Sequence, residues 1–453
     1  MIDYTLPLDE LPDPLPIEPL TKPFDVTITP PGSKSITCRA YVLAALAEGE
    51  SKIIRPLRAD DTDKLLDALC TLGAEARWEG EDVFIKGVGG RFPRGGEVNL
   101  GDGGTPARFM IACACLAAEP VVVDGSPRMR ERPVAEGVDM LRQLGATIEY
   151  VEEEGRLPVR VLPSDDFKGG ELEIGKTQSS QFISALLLIG SCLPAGITVR
   201  YIDHLTSSKY VKLTLTTMRK YGIKIGSLLN ADNHPKEDQV VMQRLRGSEL
   251  GIPPDASSAA YWFTAAALIP DSTIRIPQLG YWNVNGQLVE IAQPDIEILK
   301  AFDVDELLFN EEFVGFTSIS SKDALSLDAS AMPDGAIALS VYAANANNKS
   351  TISGLHTLRI KETDRIAALA NELTKIGCSV ETTDDSISIV PPHRHDARAT
   401  EEKPVIIETY NDHRMAMAFA ILGLARPGIS IRNPKCVAKS YPGFWKDFAR
   451  LYA

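Results

Sequence analysis

The sequence predicts an α/β fold in which one helix-and-sheet unit, with helices and strands intermixed, occurs six times. Three observations carry this. The first is a recurring pair: N-capping residues open a helix of small apolar side chains, and a turn then leads to a β-branched run. The second is spacing. Taking Thr37, Thr105, Ser180, Ser257, Gly335 and His413 as markers of the helix starts, the intervals are roughly 68, 75, 77, 78 and 78 residues. The third is an amphipathic helix between markers that ends at glycine, at 65–73, 138–145, 213–222 and 367–377, with 296–302 a weaker copy.

The first helix follows Pro30-Pro31-Gly32, which ends whatever precedes it. Ser33, Lys34, Ser35 and Arg39 then lead into an apolar run at 40–47 with no charge before Glu48. Lys34, Ser35 and Arg39 therefore stand at a helix mouth, where unpaired N–H groups and the dipole favour an anion. Ser35 and Arg39 are four apart and share a face. Alone, the stretch also reads as a capped helix start with solvated cations. Thr105-Pro106 opens 107–118, with proline at the first helical position. Ser179-Ser180-Gln181 opens 182–193, and Asp255 to Ser258 opens 259–269. Asp334-Gly335 opens 336–346, and Asn411-Asp412-His413 opens 414–425.

Six units in 453 residues suggest two domains of three. We place one at 33–252 and the other at 1–32 joined to 253–453. The chain crosses near 30–33 and 251–254, and two crossings close together would make a hinge.

Composition narrows the function. Apolar residues are 44% and charged residues 24%, as in ordinary globular proteins. A net charge of −14 argues against general binding to nucleic acid or anionic membranes, so local basic clusters stand out. No apolar run reaches membrane-spanning length, and residues 1–23 lack the plan of a signal peptide. A cytoplasmic protein is expected. The seven cysteines read as reduced thiols, most of them in apolar runs. Cys113-Ala-Cys115 lacks ligand spacing, and the close pair His393 and His395 sits in a proline-rich loop, so no metal site is expected.

The chemistry-bearing residues gather at the helix mouths. In Leu100 to Arg108, Gly103 and Gly104 let a ligand approach the backbone. Arg128, Arg130 and Arg132 lie between Pro127 and Pro133. Lys361 and Arg365 are four apart, with Glu362 beside them. Arg414 opens the last repeated helix, and Lys439 follows the last strand. Each motif alone is weak, and Asp334 alone is most simply an N-cap. Together they form a cation set suited to more than one small anion, with Asp334 and Glu362 as carboxylates for proton transfer.

These motifs occur in one order: P-G-S-K-S-x-x-x-R, L-G-x-x-G-T-x-x-R, P-R-M-x-x-R-P, S-S-Q-F, D-A-S-S-A, P-D-G-A, R-I-K-E-T-D-R, N-D-H-R-M-A-M and A-K-S-Y-P. From about residue 31 to 445 the chain resembles the enolpyruvyl transferase family, in its 5-enolpyruvylshikimate-3-phosphate synthase branch. The resemblance implies two domains of three units each, inside-out barrel-like, with the active site in the cleft between them. It implies transfer of an enolpyruvyl group from phosphoenolpyruvate to the 5-hydroxyl of shikimate 3-phosphate, by a monomer without metal or organic cofactor. Carried over by motif, Lys34, Gly104, Arg128, Gln181, Arg365, Arg414 and Lys439 would surround phosphoenolpyruvate. Ser35, Arg39, Ser179, Ser180, Gln181, Ser207, Asp334 and Lys361 would hold shikimate 3-phosphate. Asp334 would take the hydroxyl proton, and Glu362 with Lys34 would handle the proton on the methylene carbon.

Asp102 and Thr357 depart from the family pattern, each standing where an asparagine is found. The first twenty or so residues match no family segment. Two other readings stay open here. The sister enzyme acting on UDP-N-acetylglucosamine usually works with a loop cysteine, and no cysteine here lies in a polar glycine-rich loop. A non-catalytic repeat scaffold would have been favoured by loss of Asp334 or Glu362.

Overall fold

The computed structural model describes every residue except 1, 204, 206, 230–234, 283–287, 291–292, 303, 310–311, 319–322, 393–398 and 401. The pair His393 and His395 thus lies outside the described residues. The chain divides into two compact units: Gly32–Ile252, and a composite of Met1–Pro31 with Pro253–Ala453. Among the described residues, no helix is long and apolar enough to cross a membrane.

Within Gly32–Ile252, three four-stranded sheets share one plan. Gly170–Ile174 runs parallel to Ile197–Tyr201, which is antiparallel to Pro235–Val240, which in turn pairs with Ile225–Leu229. Gly96–Asn99, Val121–Asp124, Val159–Leu162 and Thr147–Tyr150 repeat the order. A parallel pair needs a crossover. The helices Gly104–Ala114 and Ser180–Ile189 supply it in these two sheets. In the remaining sheet the parallel edge strand is Glu249–Gly251, laid beside Glu48–Ile54 from the far end of the unit. Lys34–Leu46, Gly104–Ala114 and Ser180–Ile189 pack on one another and are buried nearly all round, as helices without a polar face must be.

The composite unit repeats the plan around Ala256–Leu268, Gly335–Ala343 and His413–Ala425. Here the N-terminal segment supplies strands to two sheets. Asp25–Thr27 lies parallel to Thr273–Pro277, and Leu15–Pro16 lies antiparallel to Ile429–Ile431, opposite Val405–Ile407. Tyr4 packs among Trp445, Phe448 and Tyr452, and its hydroxyl donates to the Pro16 carbonyl at 3.2 Å and accepts from the Glu18 N–H at 2.9 Å. Within the first twenty residues, Tyr4, Leu11, Leu15 and Ile17 are therefore part of the core.

Several local expectations change: the helix expected over 182–193 ends at Ile189 and passes into a 3-10 turn, Gly190–Cys192, and the one expected to reach 346 ends at Ala343. The weak helix at 296–302 is a 3-10 helix, Pro294–Ala301, opened by a proline. The helix expected to reach residue 118 ends at Ala114, because Cys115, Leu116 and Ala117 bond back three residues rather than four.

Leu15 is fully buried. Leu15→Ala is expected to cost about 2–5 kcal/mol of unfolding free energy in urea. A cost under about 1 kcal/mol would show that the N-terminal strand is dispensable.

Candidate active site

In Gly32–Ile252 the Ser33 hydroxyl accepts from the Ile36 N–H at 3.2 Å, which starts the helix at Lys34. Lys34 Nζ lies 3.0 Å from Asp61, a buried carboxylate in the first turn of Asp60–Leu72. Arg39 is 2% exposed. Its guanidinium donates to the Ser35 carbonyl, Thr214 Oγ1, Ser184 Oγ and the Tyr210 carbonyl, and it lies 5.4 Å over the Phe109 ring. It ties the helix starting at Lys34 to Ser180–Ile189 and Ser208–Lys220. Ser184 and Thr214 look like ordinary helix residues in the sequence, and only this contact singles them out.

Gly104 opens its helix beneath the buried guanidinium of Arg132, which occupies the space a Cβ would need. Arg132 also donates to the Asp102 carbonyl at 3.2 Å. Arg132 rather than Arg128 therefore packs on the glycine turn. Arg128 is partly exposed and pairs with Glu131 at 2.6 Å. The Asp102 carboxylate accepts from the Ser126 hydroxyl. The Gln181 amide donates to Thr105 Oγ1 at 2.9 Å, and its carbonyl accepts from Arg108 at 2.6 Å. Arg108 lies over Phe182 and donates to the Pro133 carbonyl. Ser179 caps its helix through the Gln181 N–H, and Ser180 is buried at the first helical position. Ser207 is left-handed, with φ 49°, and makes no capping bond to the helix it precedes. Such a conformation is costly for serine and clusters at functional sites.

In the composite unit, Asp334 sits at an N-cap position but makes no capping bond. Its Oδ1 accepts from Arg365 at 2.8 Å and lies 3.5 Å from Lys361 Nζ, while Oδ2 accepts from Arg414 at 3.0 Å. Glu362 accepts from Arg365 at 2.8 Å and lies 3.2 Å from Lys439 Nζ. Asp412 accepts from Arg365 Nε at 2.7 Å and from the Arg414 N–H at 2.9 Å. Arg365 is 1% exposed and so engages three carboxylates, Asp334, Glu362 and Asp412. Sequence reasoning had no role for Asp412 beyond its cap. It caps the last repeated helix and holds Arg365 with the same carboxylate.

Burial raises the Asp334 carboxyl, but Arg414, Lys361 and Arg365 outweigh it and hold the group well below its ordinary value. Burial pushes up all seven thiols, Cys38 and Cys436 to about 12 and Cys192 to about 11, so none is poised as a thiolate nucleophile. Among the described residues, no group of three His, Cys, Asp or Glu side chains could hold a metal ion.

The Asp334 shift fixes a sign. A carboxyl held low in the folded state stabilises fully above its unfolded value near 3.8 and loses that contribution as pH falls. Unfolding free energy should therefore drop between about pH 4.5 and pH 3, and Asp334→Asn should flatten that slope. An unchanged slope in urea titrations would mean that the surrounding cations do not stabilise the Asp334 carboxylate.

The model of the EPSP synthase (3-phosphoshikimate 1-carboxyvinyltransferase) family matches residues 20–448. A 3-phosphoshikimate 1-carboxyvinyltransferase of Yersinia pestis is 36% identical over 429 residues, covering 94% of this chain and 96% of that relative. One from Salmonella schwarzengrund is 35% identical over 445 residues, covering 96% and 98%. Among solved structures, an EPSP synthase from Acinetobacter baumannii superposes with a TM-score of 0.74 at 25% identity, covering 96% of this chain and 97% of that one. The enolpyruvyl transferase NikO from Streptomyces tendae shares the fold, with a TM-score of 0.73 at 18% identity over 96% and 97% of the two chains. With motifs, fold and relatives in agreement, this chain belongs to the EPSP synthase, or 3-phosphoshikimate 1-carboxyvinyltransferase, family of transferase enzymes.

Proposed function

We propose that the residues placed above carry the family's reaction in this chain. The enolpyruvyl group of phosphoenolpyruvate passes to the 5-hydroxyl of shikimate 3-phosphate, giving 5-enolpyruvylshikimate 3-phosphate and phosphate, on the route to chorismate and aromatic amino acids. The observation that carries the assignment of roles is Asp334, a carboxylate at a helix start that leaves the cap unmade and faces Lys361, Arg365 and Arg414 instead.

The chemistry follows in two steps. In the first, Asp334 accepts the proton of the attacking hydroxyl, the oxygen bonds to the enol carbon, and Glu362 with Lys34 delivers a proton to the methylene carbon. In the second, a proton leaves the new methyl group, the double bond reforms and phosphate departs. The departing phosphate needs fixed positive charge. Lys34, Arg128, Arg365, Arg414 and Lys439 supply it around phosphoenolpyruvate, with the Gly104 backbone and Gln181 close by. Ser35, Arg39, Ser179, Ser180, Gln181, Ser207 and Lys361 hold shikimate 3-phosphate. Arg365, Arg414, Lys361 and Lys439 already contact carboxylates, so an anionic substrate competes with Asp334, Glu362 and Asp412 for them. As the cations turn to substrate, Asp334 regains basicity.

The working form we infer is a cytoplasmic monomer. Chain crossings at the unit boundaries Pro31–Gly32 and Ile252–Pro253 would serve as its hinge. The direct test is phosphate release from phosphoenolpyruvate, which must require shikimate 3-phosphate. Asp334→Asn should lower turnover by about 10²–10⁴-fold. Arg414→Ala should weaken phosphoenolpyruvate binding by about 1.5–3 kcal/mol and shikimate 3-phosphate binding less. Near-normal turnover in Asp334→Asn would reduce that residue to a structural role.

A further inference from the structure

We propose that Glu372 and Tyr410 are positioning residues for the reaction: they fix the turn that carries Asp412 and Arg414, without touching substrate. The inference rests on the reading of Arg414 as a phosphoenolpyruvate ligand. Glu372 lies seven residues after Arg365 on the helix Arg365–Lys375, two turns on and on the same face. It is fully buried, and a buried carboxylate persists only where its oxygens are satisfied. Its Oε1 accepts from the Tyr410 hydroxyl at 2.7 Å. Its Oε2 accepts from the Glu408 N–H at 3.0 Å and from Lys375 Nζ at 2.7 Å.

The segment so gripped is strained. Tyr410 and Asn411 are both left-handed, each with φ 54°, a conformation asparagine tolerates but a bulky tyrosine avoids. Strain of this kind persists only where surrounding contacts over-determine it. The contacts are on both sides. Thr409 Oγ1 donates to the Arg432 carbonyl at 3.0 Å, and Asn433 Nδ2 donates to Asn411 Oδ1 at 3.1 Å. At the far end Arg365 holds Asp412, whose carboxylate caps the Arg414 N–H. One helix face thus grips the turn twice, through Glu372 at 408 and 410 and through Arg365 at 412. Tyr410 is 39% exposed, yet its hydroxyl is bonded to the carboxylate of a residue with no exposure at all. That pairing spends a surface tyrosine on the turn ahead of Arg414.

Tyr410→Phe removes one hydroxyl at a partly exposed site and leaves the ring, so the variant should fold. Its KM for phosphoenolpyruvate should rise about 3–10-fold with KM for shikimate 3-phosphate near wild type, alongside a modest fall in melting temperature because Glu372 Oε1 loses its donor. Glu372→Ala should raise the same KM further, and Glu372→Gln, whose amide oxygen can still accept from the Glu408 N–H while its NH2 donates to the Tyr410 oxygen, should restore most of it. In an Arg414→Ala background Tyr410→Phe should add nothing, because the group it positions is gone. A melting-temperature loss in Tyr410→Phe with unchanged KM would overturn the proposal, and so would an undiminished effect in the Arg414→Ala background. If Arg414→Ala itself leaves KM for phosphoenolpyruvate unchanged, the reading of Arg414 falls and this inference falls with it.

Discussion

The composite unit depends on how a buried guanidinium is satisfied. Arg365 is almost entirely out of solvent, and removing an ion from water costs several kcal/mol even in a relaxed protein. Three carboxylates offset that cost, and each comes from a different place in the chain. Asp334 precedes one core helix, Glu362 lies in the turn just before Arg365, and Asp412 caps another core helix. Planar geometry matters here, because Nε, Nη1 and Nη2 each find an acceptor. The charges that lock two helix starts together are the same ones assigned to proton transfer and anion binding. Stability and reactivity are therefore set by one network.

Gly32–Ile252 solves a related problem with neutral partners. Arg39 is as buried as Arg365, but it donates to two hydroxyls and two main-chain carbonyls and leans on Phe109. Here a cation pins three helices through hydroxyls, main-chain carbonyls and a ring. Lys34, at the mouth of the same helix, has a carboxylate partner in Asp61.

Much of the fold was legible because its signals are local. Ser33, Ser179, Asp255 and Asp412 cap helices where their positions in the sequence suggest. The repeat spacing reflects sheets built to one order. What could not be read locally were the closures. Nothing in Glu249–Gly251 or Leu15–Pro16 says which distant strand it will join, since pairing is decided by the edge left open elsewhere. The site divides in the same way. Its residue types and order were plain, but the side-chain choices were not. Asp334 looks like a cap and does not cap, Arg132 rather than Arg128 covers Gly104, and nothing in the sequence singles out Glu372, which is fully buried.

The claim that the guanidinium's geometry, and not only its charge, organises the site is tested most directly by kcat/KM for phosphoenolpyruvate in Arg365→Lys. Lysine keeps the charge but cannot reach Asp334, Glu362 and Asp412 at once. Losing two charge-assisted bonds at about 1.5–3 kcal/mol each predicts a fall of at least about 100-fold. A value within about threefold of wild type would show that a point charge suffices and would contradict the account.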